Sequence, residues 1–291
     1  SVLDLIDAGQ QLPTVRADQA GVSGAWYAPW SSGQGLMIDW IAGARTLFAP
    51  WFTFRPDGGN DPSGLRWYSL QGVLADPSAD ATIDILSNDG GRFGVGITAP
   101  RRVGSAHLNF ESCDRAQFRY QFTADENDGA TGLVTLSRLT PGVACADPAS
   151  SVVAGTAKSL DSGLNGAWFE PASSGQGLMF QAIPTFDTLF ATWFTYDPEG
   201  AADDPSQQHW FSLQGPLGSG EQTTLAIIRS TGGALNREPA NNRQQVGTAT
   251  LSRLACDRLD IDYQFDDSEV AGPFRRISGH RELQRIGGCA D

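Results

Sequence analysis

Tryptophans, hydroxyl side chains and glutamines recur together at two places in the chain. The first set is Trp51, Thr53, Trp67, Ser69 and Gln71, and the second is Trp193, Thr195, Trp210, Ser212 and Gln214. Counting alternate residues along each segment places the tryptophans and the polar groups of a set on one face. Flat rings provide contact area and uncharged polar groups fix orientation, which suits a neutral ligand such as a sugar, an amide or a heterocycle. We therefore predict a ligand-binding face in each half.

Two structural alternatives stay open for this face. In a narrow eight-stranded barrel the tryptophans would fill the lumen, and their polar neighbours would bond to one another. The same alternation puts Phe52, Phe54, Tyr68 and Leu70 on the opposite face, with Phe194 and Phe211 in the second half. If that face lies outside a barrel, it needs cover from the other half or from another chain. If that face instead forms the core, the tryptophan and glutamine face is exposed and becomes a surface for binding polymers or proteins. The sequence does not choose between the two faces.

A glycine-rich heptapeptide occurs identically at 31–37 and 173–179, 142 positions apart (173 − 31). It lacks the third glycine of a dinucleotide-binding loop and the Lys-Ser/Thr pair of a P-loop, and no helix is expected after it. We interpret it as a tight turn that enters a strand. Gln34 and Gln176 would point from that turn into a barrel mouth, where they are further candidates for ligand contact.

The heptapeptide belongs to a repeat that covers most of the chain. Trp26 returns as Trp168 at an offset of 142, and Trp67 returns as Trp210 at an offset of 143. A length of 291 residues with this repeat predicts two similar domains. We expect an N-terminal arm at 1–22, a first domain at 23–145, a linker at 146–163 and a second domain at 164–291.

The elements that must position these side chains have β character throughout. Short aromatic and β-branched runs, separated by turn formers, lie near 24–29, 35–42, 46–55, 65–74, 81–87, 102–111, 115–123 and 131–139. Eight successive antiparallel strands per copy, without helices, predict an all-β chain of two tandem up-and-down barrels, or otherwise two curled sandwiches.

Four cysteines lie at matching places in the two copies. Cys113 and Cys145 are 32 positions apart, and Cys256 and Cys289 are 33 apart. Without a Cys-x-x-Cys motif or nearby histidines, this pattern favours two disulfides in an oxidising compartment over a metal site. Because the sequence begins at Ser1 without a signal peptide, we infer that one has been removed and expect a periplasmic or secreted protein.

The composition argues against several partners and activities. A net charge of −13 disfavours nucleic acid, and no apolar stretch reaches the ~20 residues of a membrane span. No histidine is repeated, since His107 aligns with Thr250 and His209 with Arg66. No nucleophile, base and orienting group, and no glycosidase-like carboxylate pair, is kept twice. We expect a chain without catalytic activity, with a hydrolase as the remaining alternative.

Acidic loops raise the separate question of calcium. Hard oxygen ligands cluster at Asp57, Asn60 and Asp61 in the first copy and at Asp197, Glu199, Asp203 and Asp204 in the second. Their spacing is not that of an EF-hand, and Asp before Pro is ordinary turn chemistry. We predict no metal site and no cofactor, and leave calcium open at these loops.

Two resemblances follow from short motifs. Gly24-Ala25-Trp26 and Gly166-Ala167-Trp168, with last strands ending Ser137-Arg138-Leu139 and Gln284-Arg285-Ile286, resemble calycin barrels of the avidin and streptavidin type. That resemblance implies a tryptophan that closes the barrel floor and an arginine packed across it. No residue matches the biotin contacts. The doubled W-x-x-P-x-x-S-G-Q-G pattern also resembles repeats of secreted bacterial proteins of unassigned function, which implies no activity.

Two hypotheses for function follow. The first is a secreted, non-catalytic binding module of two domains for a small neutral ligand or a glycan. The second is an accessory or structural subunit that packs against other extracellular or membrane-bound proteins through surplus aromatic surface and the N-terminal arm.

Overall fold

The computed structural model describes residues 15–77, 81–88, 90–96, 99–140, 160, 162–173, 175–200, 204–218, 220–237, 239–240 and 242–289. In the first half it contains strands β1 (Gly24–Tyr27), β2 (Gly35–Ile41), β3 (Thr46–Phe54), β4 (Leu65–Val73), β5 (Ala81–Ser87), β6 (Arg101–Phe110), β7 (Arg115–Phe122) and β8 (Thr131–Arg138). Each pairs antiparallel with the next, and β8 pairs with β1, so the sheet closes on itself.

The second half repeats this barrel. Its strands are β9 (Gly166–Phe169), β10 (Gly177–Ile183), β11 (Thr188–Tyr196), β12 (Gln208–Pro216), β13 (Gln222–Thr231), β14 (Asn242–Ala255), β15 (Arg258–Phe265) and β16 (Ser278–Arg285). Here β16 pairs with β9 and closes the sheet. The prediction of an all-β chain with two up-and-down barrels is confirmed, and the sandwich alternative is excluded.

Aromatic side chains fill both lumens. The Trp51 ring lies 5.0 Å from Phe118, 5.1 Å from Tyr120 and 5.8 Å from Phe122, measured between ring centroids. Trp193 occupies the corresponding place in the second barrel, 5.1 Å from Tyr263. The interior of an eight-stranded barrel is just wide enough for such filling.

The floor of each barrel is closed by its first-strand tryptophan. Trp26 Nε1 donates to the Val22 carbonyl and Trp168 Nε1 to the Leu164 carbonyl, both at 2.9 Å. The Arg138 guanidinium lies 5.9 Å from the centroid of the Trp26 ring. The last-strand arginine of the first barrel therefore packs against its first-strand tryptophan.

Residues near the chain start also belong to the first barrel. Ala17 and Val22 are buried in its core, and of the predicted arm at 1–22 only residues 15–22 are described. The rest of the arm and most of the predicted linker lie outside the described residues.

A disulfide joins Cys256 to Cys289, with Cα atoms 5.4 Å apart. This confirms the predicted pair in the second copy. Cys113 is disulfide-bonded as well, and its predicted partner Cys145 lies outside the described residues. Within the part of the chain that is described, no helix is long and apolar enough to cross a membrane.

Candidate functional site: two grooves between the barrels

The outer faces of the two barrels pack against each other through a third apolar cluster. Its buried members, drawn from both halves, are Ala25, Met37, Phe52, Phe54, Leu65, Trp67, Ala167, Met179, Phe194, Tyr196 and Trp210. The cover that the outer aromatic residues require therefore comes from the other copy of the repeat.

The contacts across this interface are reciprocal. Trp67 Nε1 donates to the Thr195 carbonyl at 3.1 Å, and Trp210 Nε1 donates to the Thr53 carbonyl at 3.0 Å. Because Trp67 corresponds to Trp210 and Thr53 to Thr195, the two bonds are one interaction made twice. The barrels are thus related by an approximate two-fold axis, like the subunits of a symmetric dimer.

A second reciprocal pair of hydrogen bonds includes one ionisable group. The Ala25 N–H donates to Gln181 Oε1 at 2.7 Å, and the Ala167 N–H donates to Asp39 Oδ2 at 3.1 Å. Burial raises the pKa of Asp39, against the opposing effects of the nearby Arg285 charge and of backbone hydrogen bonds. At this interface the second copy uses a neutral amide where the first has a carboxyl group.

Each barrel also closes the mouth of the other. The loop between β5 and β6 carries Phe93 into the second barrel, where its ring lies 5.7 Å from Trp193 and 5.3 Å from Phe274. The loop between β13 and β14 places Leu235 in the core of the first barrel. We call the described residues of these segments, 88, 90–96, 232–237 and 239–240, the exchanged loops.

The glutamines of the repeated heptapeptide anchor the exchanged loops. Gln34 Nε2 donates to the Ala234 carbonyl at 2.9 Å, and its Oε1 accepts from the Asn236 N–H at 3.1 Å. Gln176 Nε2 donates to the Arg92 carbonyl at 3.0 Å, and its Oε1 accepts from the Gly94 N–H at 3.3 Å. The repeated motif therefore has a structural role that the sequence did not suggest.

The hydroxyls of Thr53 and Thr195 support these glutamines. Thr53 Oγ1 donates to Gln34 Oε1 and Thr195 Oγ1 to Gln176 Oε1, both at 2.7 Å. Both threonines are fully buried, so they act here in positioning a glutamine.

The predicted common face is wrong. The register of β3 with β4 places Trp51 opposite Tyr68 and Phe52 opposite Trp67, and directly opposed residues share a face. Trp51 and Tyr68 therefore lie in the lumen, whereas Trp67 and Phe52 lie outside. The second barrel repeats this arrangement, with Trp193 opposite Phe211 and Phe194 opposite Trp210.

Two grooves flank the interface, and each is lined by both barrels. The smaller, of about 200 Å³, is lined by residues that include Phe48, Trp67, Ser69, Gln176, Phe194 and Ile286. The larger, of about 550 Å³, is lined by residues that include Gln34, Phe52, Phe190, Trp210, Ser212 and Gln214. The repeat relates five of the residues named for the smaller groove, Phe48, Trp67, Ser69, Gln176 and Phe194, to five of the larger, Phe190, Trp210, Ser212, Gln34 and Phe52. The grooves are therefore two copies of one feature.

The predicted site residues are thus divided among four places. Trp51, Thr53, Trp193 and Thr195 are buried in the barrels, away from both grooves. Trp67, Ser69 and Gln176 line the smaller groove, and Gln34, Trp210, Ser212 and Gln214 line the larger. Gln71 is exposed outside both linings.

The larger groove contains a buried hydroxyl without a partner. Ser212 is 7% exposed, and its Oγ makes no hydrogen bond within the described structure. The opposed Thr192 Oγ1 is also buried and unpaired among those residues. In the smaller groove Ser69 Oγ accepts from Asn88 Nδ2 at 2.9 Å. An unpaired buried hydroxyl is costly unless something bonds to it.

A largely buried polar cluster of His209, Asp197 and Arg229 lies near the mouth of the second barrel, where the first barrel instead pairs Arg66, the residue aligned with His209, with Glu126. His209 Nε2 lies 3.6 Å from Asp197 Oδ2, and the Arg229 guanidinium lies 5.3 Å from the centroid of the Phe211 ring. Burial lowers the pKa of His209, mainly by desolvating its charged form, and lowers the pKa of Arg229 to about 10. Asp197 also accepts from the Phe93 N–H through its backbone carbonyl, which links this cluster to an exchanged loop.

The acidic loops have partners within the chain. Arg55 Nε lies 3.1 Å from Asp57 Oδ1, and Arg55 Nη2 lies 3.5 Å from Asp61 Oδ2. Asp61 and Asp204 accept from the Ser63 and Ser206 N–H groups, respectively, as turn caps. Asp203 lies outside the described residues. The prediction of no metal site, with calcium left open at these loops, stays a prediction.

No protein-family model matches the chain, and no curated protein matches it either. Function is therefore inferred from the chemistry of the grooves.

Proposed function

We propose that the chain is a non-catalytic binding protein whose small ligand occupies the larger groove between its two barrels. The binding residues are Trp210, Ser212 and Gln214 of β12, with aromatic walls from Phe52 and Phe190. This keeps the predicted ligand-binding module but moves its site from a barrel face to the interface.

The observation that carries the proposal is the lining of the larger groove. It joins aromatic surface to the unpaired Ser212 hydroxyl and the exposed Gln214 amide, within a volume of about 550 Å³. Small-molecule pockets typically measure about 300–1,000 Å³ and combine apolar walls with a few polar groups that orient the ligand. The groove has that size and chemistry, whereas the lumens are filled.

The disulfide between Cys256 and Cys289 supports a periplasmic or secreted location. Disulfides persist in oxidising compartments and are rare in the cytosol. A binding protein in that location would meet sugars, amides and heterocycles as free extracellular compounds.

Native mass spectrometry of the protein purified from its own source tests the proposal. We expect a small non-protein mass retained by the folded chain. Gln214→Trp would fill the groove and remove this mass. Gln71→Trp is the matched control, because Gln71 occupies the equivalent place in β4 but lies outside the lining of the smaller groove; this variant should retain the mass.

Retention of the mass by Gln214→Trp would contradict the proposed location. A bare wild-type chain that also binds nothing on a glycan array and in a ligand-detected NMR screen of neutral heterocycles and amides would contradict the proposed function.

The alternative of an accessory subunit has lost its main support. It rested on outer aromatic residues in need of cover, and that cover is provided within the chain by Phe52, Trp67, Phe194 and Trp210 packing on one another.

A further inference from the structure

The two grooves descend from one repeat but differ at corresponding positions. Phe186 lines the larger groove where the first copy has Ala44 (186 − 142), and Arg243 lines it where the first copy has Pro100 (243 − 143). Thr192 corresponds to Pro50, and the unpaired Ser212 corresponds to the paired Ser69. Phe186 adds a ring and Arg243 adds a charged group to the larger groove. Among the described residues, the Ser212 hydroxyl also lacks the partner that Ser69 has.

Phe186 extends the aromatic surface of the larger groove. Its side chain is 67% exposed at the short turn between β10 and β11. An exposed phenylalanine at the edge of a groove, beside Phe190, offers a further flat face to a bound ring.

Arg243 gives the larger groove a charge that the described lining of the smaller groove lacks. It is exposed, and it lies opposite Ser230 in the pairing of β13 with β14. Among the described residues that line this groove none is acidic, although the chain as a whole carries a net charge of −13. A guanidinium in such a setting is suited to a carboxylate, which it can bind through two parallel hydrogen bonds.

We infer that the ligand of the larger groove is an organic carboxylate with a flat apolar body, an inference that rests on the proposed function. Its rings lie against Trp210, Phe190 and Phe186, and its carboxylate faces Arg243. A hydrogen-bonding substituent on the body can reach the Ser212 hydroxyl. The smaller groove lacks the cation and the extra ring, and does not share this preference.

Isothermal titration calorimetry with 2-naphthoate and 2-naphthamide tests this inference, because the probes share a ring system and differ in charge. We expect the acid to bind about fivefold more tightly than the amide at low salt, the scale of a partly exposed ion pair. This preference should shrink as salt is added. Arg243→Gln should abolish the preference while leaving amide binding intact. Arg258→Gln removes a surface arginine outside both linings and should preserve the preference.

Equal affinity for the two probes, or a preference that survives Arg243→Gln, would overturn the inference. If Gln214→Trp then still removed amide binding, the groove would remain a binding site and the proposed function would stand. Failure of both probes to bind the wild-type chain would also overturn the inference. The proposed function is tested separately, by the glycan array and by the NMR screen of neutral heterocycles and amides.

Discussion

Asp39 and Gln181 occupy equivalent positions and accept equivalent hydrogen bonds, but only Asp39 can carry a charge. Burial raises the pKa of Asp39 above its ordinary value of 3.8, so between the unfolded and the folded pKa the folded chain holds a proton that the unfolded chain has released. The contribution of this group to stability is therefore greatest below pH 3.8 and is lost as pH rises through its folded pKa.

We expect Asp39→Asn to stabilise the chain at pH 7, by about 1 kcal/mol, because the amide keeps an acceptor for the Ala167 N–H without a buried charge. The gain should shrink on acidification towards pH 4. Urea unfolding at the two pH values measures it. Asp57→Asn is the control, since the Asp57 side chain is 79% exposed, and a gain of the same size there would contradict the assignment to burial.

His209 gives the second barrel a pH dependence of opposite sign. Burial lowers its folded pKa below the ordinary value of 6.5, so on acidification the unfolded chain takes up a proton that the folded chain refuses. Stability is therefore lost as pH falls below 6.5 towards the folded pKa. We expect this group to cost about 1–2 kcal/mol between pH 7 and pH 5, and His209→Gln to remove that loss.

Thermal denaturation of both chains across this range checks the prediction. His280→Gln is an informative control, because a hydrogen bond to Asp262 raises the pKa of His280 and its contribution is lost as pH rises instead. Identical pH profiles for the wild type and His209→Gln would show that His209 titrates normally.

At the scale of elements, the exchanged loops depend on glycines that let the backbone approach a ring. A Cβ atom added to Gly91 would lie 2.1 Å from the Tyr196 ring, and one added to Gly233 would lie 2.3 Å from the Phe54 ring. Tyr196 corresponds to Phe54, so the same close approach is built twice.

We expect Gly91→Ala or Gly233→Ala to displace an exchanged loop and to destabilise the chain by about 1–3 kcal/mol, the usual cost of overpacking. Hydrogen exchange should show faster exchange of the Gly94 N–H in the first variant and of the Asn236 N–H in the second. Gly43→Ala is the control, since its Cβ would meet nothing within 4 Å. Unchanged protection in both loop variants would mean that the loops do not hold the barrel mouths closed.

The limits of the sequence also appear at this scale. Alternation placed Trp210, Ser212 and Gln214 on one face correctly, because side chains two positions apart in one strand always point to the same face of the sheet. Which residues of two neighbouring strands share a face depends on the register across the hairpin. The ten-residue connection at 55–64 left that register open. Trp51 and Trp67 were therefore assigned to one face when they lie on opposite faces.

The exchanged loops were missed because they carry no periodic signal. A signal was nevertheless present. A pair of glycines followed two positions later by a large apolar residue occurs twice, as Gly90-Gly91-Arg92-Phe93 and as Gly232-Gly233-Ala234-Leu235. Strand positions and barrel closure, in contrast, follow from local patterns, and the observed strand ends lie close to the predicted ones. Contacts between the copies, which build the grooves, are long-range and have no local pattern to reveal them.

At the scale of the whole molecule, the two barrels share structure that neither can complete alone. Each supplies half of the apolar cluster between them and closes the mouth of the other. Unfolding one barrel would expose Trp67 or Trp210 and withdraw an exchanged loop from the other barrel. Domains coupled in this way should unfold together, unlike domains joined by a small interface.

We therefore expect one calorimetric transition for the wild-type chain, with equal van't Hoff and calorimetric enthalpies. Replacing both Trp67 and Trp210 with Ala removes the reciprocal ring contacts and hydrogen bonds, and should split this transition into two. Two transitions in the wild type would show that the barrels fold independently. In that case a ligand of the larger groove should raise the midpoint temperatures of both transitions, because Phe52 and Trp210, which line the groove, come from different barrels.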